Sequence, residues 1–340
     1  MTMRVLIGSW LEAEHVATIA AEPGVEVLYE PELLPQPRYA SDHHGQPREL
    51  SSTEDARWQA LLARADVAFD FDWQDPAALP HRAPRLRWIQ ATSAGIGAFV
   101  QRTGLDQSGI QITTAAGVHA VPLAEFALAG ALHFVKDVPR LQRDRHTTRW
   151  ERHTTGQLSG RRVAVIGVGG MGRNVVRVFA AMGCAVTAVG RAGRDYDLAP
   201  GIEVTSTDHL GDVLPTTDVL VLCCALTSET AGLIGRPQLA ALPDGAILVN
   251  IARGGVVDET ALIDELTSGR LAGAALDVVT EEPPAQDSPL WSLDNVLLSP
   301  HSASTVDTEN ATLTELFVDN LRRFHAGEPL RNVYDAGRGY

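Results

Sequence analysis

Four segments of the sequence combine residue types and spacing suited to chemistry on a charged ligand. The first is Gly167-Val-Gly169-Gly170-Met171-Gly172, entered from the apolar run at residues 163–166 and followed by Val175, Val178, Phe179 and Met182 at helical spacing. That order predicts a strand, a glycine turn and an amphipathic helix. The first glycine permits the tight turn, the second lets backbone approach a pyrophosphate, and the third allows close packing of helix on strand. The helix N-terminus then offers N–H groups and a positive dipole end to an anion, so the segment points to a dinucleotide. About twenty residues on, an NAD-selective site places an acid on the ribose 2′-hydroxyl. Here the strand ends at Val189-Gly190-Arg191, with no acid. Arg191 and Arg194 suit charge-assisted bonds to a 2′-phosphate, which favours NADP(H) over NAD(H).

The other three segments are Asn250-Ile251-Ala252-Arg253-Gly-Gly-Val-Val-Asp258, Leu276-Asp277-Val-Val-Thr-Glu-Glu282-Pro283 and Leu298-Ser-Pro300-His301. Each follows a predicted strand, and open α/β sheets bind ligands beyond the carboxyl ends of their strands. Taken singly, each also has a plain structural explanation: an exposed loop arginine, a helix-entry glutamate before proline, and a histidine capping a turn.

Stepping outward, the elements that position these segments fall into two series of short apolar runs alternating with helical patterns, as in parallel α/β architectures. One series has strands near residues 5–7, 25–29, 67–69, 88–90 and 110–112; the other has them at 163–166, 185–189, 219–223, 246–250, 274–276 and 296–298. Two domains also suit a length of 340 residues. Residues 121–145 read as one long linker helix, apolar and then charged. A last helix over residues 308–325 follows the second series, so the chain is expected to return to the first domain. Residues 31–52 hold Pro31, Pro35, Pro37 and Pro47 and lack periodicity. Loops of that length are often functional; His43 and His44 are either ligands or substrate contacts, or part of a surface or subunit-contact loop.

Together the segments resemble the NAD(P)-dependent D-isomer-specific 2-hydroxyacid dehydrogenases over nearly the whole chain. Gly117-Val-His119-Ala-Val-Pro-Leu-Ala-Glu125 and Leu226-Thr-Ser-Glu-Thr230-Ala-Gly-Leu contribute, as do the 29-residue interval from Arg253 to Glu282 and the 19-residue interval from Glu282 to His301. The resemblance implies two doubly wound parallel-sheet α/β domains. A Rossmann cofactor domain at residues 119–304 would be inserted into a flavodoxin-like substrate domain at 1–118 and 305–340. It implies that Arg253 binds the substrate carboxylate and keto oxygen, that His301 is the general acid/base, and that Glu282 is its partner, keeping the ring charged for reduction. Asp277 resembles the residue that meets the nicotinamide carboxamide. Cys224, Thr230, Ile251, Ala252 and Ser304 join Arg253 and His301 among the implied cofactor contacts. Gln90-Ala-Thr-Ser93-Ala94-Gly95-Ile96-Gly97 resembles the family's substrate loop, with the backbone at Ala94, Gly95 and Ile96 holding the carboxylate in a cleft that closes between domains. His119 stands where a formate dehydrogenase has asparagine, and is either a pocket residue or packed.

The activity so implied is reversible, NADPH-dependent reduction of a small 2-oxo acid (glyoxylate, hydroxypyruvate or a bulkier analogue) to the D-2-hydroxy acid. Formate dehydrogenases share the Ala-Gly-Ile-Gly loop but pair the histidine with glutamine. Phosphite dehydrogenases carry lysine where Ala94 stands, and the corepressor relatives of this fold sense cofactor and recruit peptides. Residues 121–150 resemble the arm through which family members form homodimers.

Composition narrows the partners. With 42 acids against 28 Lys and Arg the net charge is −14, which argues against nucleic acid or an anionic membrane as partner. The acidic average hides a basic stretch: residues 140–194 carry eleven Arg against Asp144 and Glu151. Cys184, Cys223 and Cys224 form neither a CxxC metal pattern nor a disulfide framework. No metal is expected, and a cytoplasmic location fits. Residues 1–10 lack signal-peptide features, and no apolar stretch reaches the length of a membrane span.

Overall fold

In the computed structural model, which describes residues 2–337, the apolar runs become parallel strands buried under helices. The chain begins β1 (Met3–Ile7), α1 (Ala13–Ala20), β2 (Val25–Leu28), α2 (Ser52–Arg64), β3 (Val67–Phe69), α3 (Leu79–Arg82), β4 (Trp88–Gln90), α4 (Gly97–Thr103) and β5 (Gln111–Thr113). It continues α5 (Ala120–Val135), α6 (Val138–His146), β6 (Arg162–Ile166), α7 (Gly170–Ala181), β7 (Ala185–Gly190), β8 (Glu203–Ser206), α8 (Leu210–Val213) and β9 (Val219–Leu222). It ends α9 (Arg236–Ala241), β10 (Ile247–Asn250), α10 (Glu259–Thr267), β11 (Gly273–Leu276), β12 (Val296–Leu298) and α11 (Glu309–Ala326). Two units result: Met1–His119 with Thr305–Tyr340, and Ala120–Ser304. His119 therefore falls in the first unit.

The first unit holds a five-stranded sheet in the order β2-β1-β3-β4-β5, with every pairing parallel. This is the flavodoxin-like order. Its helix α11 is part of the core, although some 190 residues separate it from β5. Phe317 stacks on Trp88 with centroids 5.2 Å apart and meets Phe69 edge-on at 5.3 Å. Burial of such side chains contributes about 1.5–3 kcal/mol each. Buried Asn320 adds direction, donating to Gln90 Oε1 at 3.1 Å and accepting from Arg331 N at 2.8 Å. Helix α2 opens with a capping box between Ser51 and Glu54, and Gly104 and Gly327 end α4 and α11 at positive φ.

The second unit holds a seven-stranded parallel sheet, β12-β11-β10-β9-β6-β7-β8. Read from β8, this is the doubly wound 3-2-1-4-5-6 order with one strand added. The order reverses beside β6, so the glycine turn after β6 lies at the crevice where such sheets bind ligands. Helices α5 and α7 cover one face: Gly130 of α5 lies against Ala275, and Val175, Val176 and Phe179 of α7 are buried. Val176 is buried, whereas Met182, which the spacing placed on the apolar face, is 39% exposed at the helix end.

Two expectations are corrected. The helix expected over residues 121–145 is two, α5 and α6, with Asp137 between them at φ 52°. Pro139 is the cause, since it has no N–H to donate to Val135 and its ring would press on that carbonyl. The edge strand β8 had no counterpart in the sequence pattern; only Ser206 of its four residues is buried. Among the described residues no helix is long and apolar enough to cross a membrane.

Candidate active site

The glycine turn after β6 is built as its spacing requires. Gly167 sits at φ 100°, and a Cβ there would lie 2.6 Å from Cys224 N; a Cβ on Gly172 would run into the carbonyl of Gly167. Gly169 is different, because a Cβ there would meet nothing within 4 Å. The backbone is thus packed on one side and open on the other, at the start of the twelve-residue helix α7. This is a cradle that fits a pyrophosphate. Burial pushes the Cys224 thiol up to about 11 and raises that of Cys223 as well. Both remain protonated at neutral pH, so they wall the turn and supply no thiolate. Arg191 and Arg194 are exposed beyond β7. Thr230 uses its hydroxyl inside its own turn, donating to Ala225 O at 2.6 Å and accepting from Thr227 N at 2.8 Å.

Beyond β10 the chain makes a turn held from within. Asn250, 2% exposed, accepts from Ala252 N at 3.0 Å through Oδ1 and donates through Nδ2 to Arg253 O at 3.1 Å. Ile251 and Ala252 are buried and Arg253 is half-buried. One Arg253 nitrogen donates to Ala252 O at 2.8 Å. No carboxylate among the described residues pairs with the guanidinium, so most of its planar fork is left for a ligand.

The next residue, Gly254, is pressed so tightly on the Val279 peptide that a Cβ would overlap it. This fixes the Arg253 turn to the segment that leads from β11 to Glu282. Asp277, at the head of that segment and 3% exposed, accepts through Oδ1 from Ser299 Oγ at 2.7 Å and Ala303 N at 2.9 Å. Its carbonyl accepts from His301 N at 2.9 Å. Three bonds from one residue therefore hold the loop after β12, including half-buried Ser304, and keep His301 at φ 53°. The His301 ring meets Glu282, with Nδ1 to Oε2 at 2.7 Å and side chains 42% and 38% exposed. Glu282 Oε1 also accepts from Val279 N at 3.3 Å. Arg253, Asp277, Glu282 and His301 are thus joined on one sheet edge. Asn250 and Ser299, to which the sequence reading gave no role, hold them there; the only sequence signal was their place within the same post-strand segments.

In the first unit, residues 93–96 run from β4 into α4. Ser93 O accepts from Ala115 N at 3.1 Å, while no protein acceptor among the described residues takes the N–H of Ala94, Gly95 or Ile96. The loop after β2 is folded on Asp42, which accepts from Arg38 N, Nε and Nη2 and from Gly45 N. The Arg38 guanidinium is the main reason the Asp42 carboxyl lies far below its usual range. His43 and His119 both approach Glu309 Oε1, with Nε2 at 3.6 and 3.1 Å, and all three side chains are mostly buried. Burial pushes the Glu309 carboxyl up, but the hydrogen bond with His119 and the nearby His43 ring outweigh it and hold it below the usual value. His44 is exposed. No group of His, Cys, Asp or Glu among the described residues could hold a metal ion.

Residues 128–303 match the family model for the D-isomer specific 2-hydroxyacid dehydrogenase NAD binding domain. The D-3-phosphoglycerate dehydrogenase of Archaeoglobus fulgidus is 31% identical over 292 residues, covering 85% of this chain and 54% of that protein. The chain spans about half the length of the D-3-phosphoglycerate dehydrogenases it matches. Glyoxylate/hydroxypyruvate reductase A of Arabidopsis thaliana is 31% identical over 276 residues, 80% of this chain and 84% of its own. A solved D-isomer specific 2-hydroxyacid dehydrogenase from Xanthobacter autotrophicus, in complex with NADPH and MES, superimposes with a TM-score of 0.79 at 30% identity over the whole of both chains. With the family model covering more than half of its length and the same fold throughout, the chain belongs to the D-isomer specific 2-hydroxyacid dehydrogenase family.

Proposed function

We propose that the protein reduces a small 2-oxo acid to the D-2-hydroxy acid with NADPH, and runs the reverse reaction when product is in excess. One observation carries this reading: a guanidinium without a carboxylate partner among the described residues and a hydrogen-bonded His301–Glu282 pair on the same sheet edge, joined to each other by backbone contact. Similarity to a glyoxylate/hydroxypyruvate reductase and to a dehydrogenase crystallised with NADPH supports it.

The glycine turn with the start of α7 would hold the pyrophosphate, and Arg191 with Arg194 the 2′-phosphate. A nicotinamide cofactor bound there would supply the hydride. Arg253 binds the substrate carboxylate through two parallel N–H bonds and lowers the cost of charge on the carbonyl oxygen. In the first unit, the backbone N–H groups of Ala94, Gly95 and Ile96, which no protein acceptor among the described residues takes, are donors suited to a carboxylate. Glu282 occupies Nδ1 of His301, so Nε2 is the nitrogen that gives its proton to the forming alkoxide and takes it back in the oxidation direction. Gln at position 282 would suit formate oxidation in the family pattern; the acid found here favours the keto acid.

A panel of glyoxylate, hydroxypyruvate, pyruvate and longer 2-oxo acids assayed with NADPH and NADH tests the proposal. Turnover of at least one acid, with kcat/KM higher for NADPH, is the expected result. Turnover of none, or a clear preference for NADH, overturns the activity or the cofactor assignment respectively. The homodimer is a separate expectation, which elution at monomer mass in gel filtration would remove.

A further inference from the structure

The missing acid at the end of β7 leaves a gap in the sequence, and the structure fills it with an aromatic ring. Tyr196 folds back over Gly190 so closely that a Cβ there would lie 2.6 Å from the phenolic oxygen and overlap the ring carbons. A side chain at position 190 and this placement of Tyr196 are mutually exclusive. The phenolic oxygen accepts the Arg191 N–H at 2.8 Å. The Arg194 guanidinium lies over the ring, 5.5 Å from its centroid, a cation–π distance. The ring is half-buried and packs against the apolar core under β6 and β7. One residue thus anchors both arginines implicated in phosphate binding, one by its backbone and one by its charge.

The chemistry of the exchange is specific. A carboxylate at the end of this strand accepts from the ribose diol and repels a phosphate monoester. A phenol is uncharged and, having accepted from Arg191 N, still has its own O–H to donate. A phosphate oxygen takes that donor readily. We propose that Tyr196 occupies the place of the absent acid and determines cofactor choice: it donates to the 2′-phosphate and holds Arg191 and Arg194 beside it. This deepens the NADPH reading given above and rests on it.

Calorimetric binding of 2′,5′-ADP and 5′-ADP tests it without any substrate. Wild type is expected to bind 2′,5′-ADP more tightly. Tyr196→Phe, which keeps the ring and its packing, should weaken 2′,5′-ADP about tenfold and leave 5′-ADP within about twofold. Gly190→Asp alone should displace the Tyr196 ring and weaken 2′,5′-ADP; with Tyr196→Ala added, NADH should bind better than NADPH. If Tyr196→Phe weakens both ligands equally, or neither, Tyr196 is packing only and the proposal fails while the NADPH reading stands. If wild type binds the two ligands alike, the NADPH reading fails and takes this proposal with it.

Discussion

Histidine meets carboxylate in both units, and the two contacts differ in the one property that decides their use. In the second unit His301 and Glu282 form a single 2.7 Å bond with both side chains about two-fifths exposed. In the first, His119 and His43 share one oxygen of Glu309, and the three side chains are 16%, 9% and 7% exposed. An imidazole with one nitrogen held and the other reaching solvent can pass a proton to a ligand. Two imidazoles enclosed on one carboxylate instead tie together distant stretches of chain: the loop after β2, the residue preceding α5, and the first turn of α11. The same residue pair is therefore open to a ligand in one setting and enclosed as a clamp in the other, and exposure distinguishes them.

That contrast can be broken at several points. The largest effect should come from His301→Ala, which is expected to lower kcat for the best 2-oxo acid by about 10²–10⁴-fold with little change in Tm; near-normal turnover would place the proton donor elsewhere. Glu282→Gln should cost about 10²-fold in kcat and alter the pH profile, again without loss of stability. Glu309→Gln should do the opposite, leaving kcat within about threefold but lowering unfolding free energy in urea by about 1–3 kcal/mol. Its pH dependence has a definite sign. Because the Glu309 carboxyl is held below its ordinary 4.5, its contribution is fully present above that value and is lost as pH falls through the lower folded-state value. The gap between wild type and Glu309→Gln should therefore close on acidification; a gap that persists in acid would show that charge is not what Glu309 contributes. The smallest effect is expected from exposed His44→Ala, within about 0.5 kcal/mol of wild type and with unaltered kinetics.

The strands and the residues proposed to react were legible for related reasons. Parallel strands covered on both faces read as unbroken apolar runs, and Arg253, Glu282 and His301 each stand a fixed few residues beyond such a run. β8 escaped because an edge strand with Glu203 and Val204 exposed has no such run. The break between α5 and α6 was written in Pro139 but masked by a helical pattern that continues through it. What could not be read were contacts made across long stretches of chain. His119 and Glu309 are 190 residues apart, and nothing local to either marks the other. The inner bonds of Asp277 were also hidden, since a carboxylate after a strand looks the same whether it faces a ligand or holds Ser299 and Ala303.

Gly254 has a consequence for how tolerance to mutation would map onto this protein. It carries no functional group, yet any side chain there would drive the Arg253 turn and the Val279 peptide apart. In a saturation library selected for turnover it should be as intolerant as His301. The two would separate only when abundance is scored as well: variants at His301 would accumulate as folded but silent protein, whereas those at Gly254 would be lost by both measures.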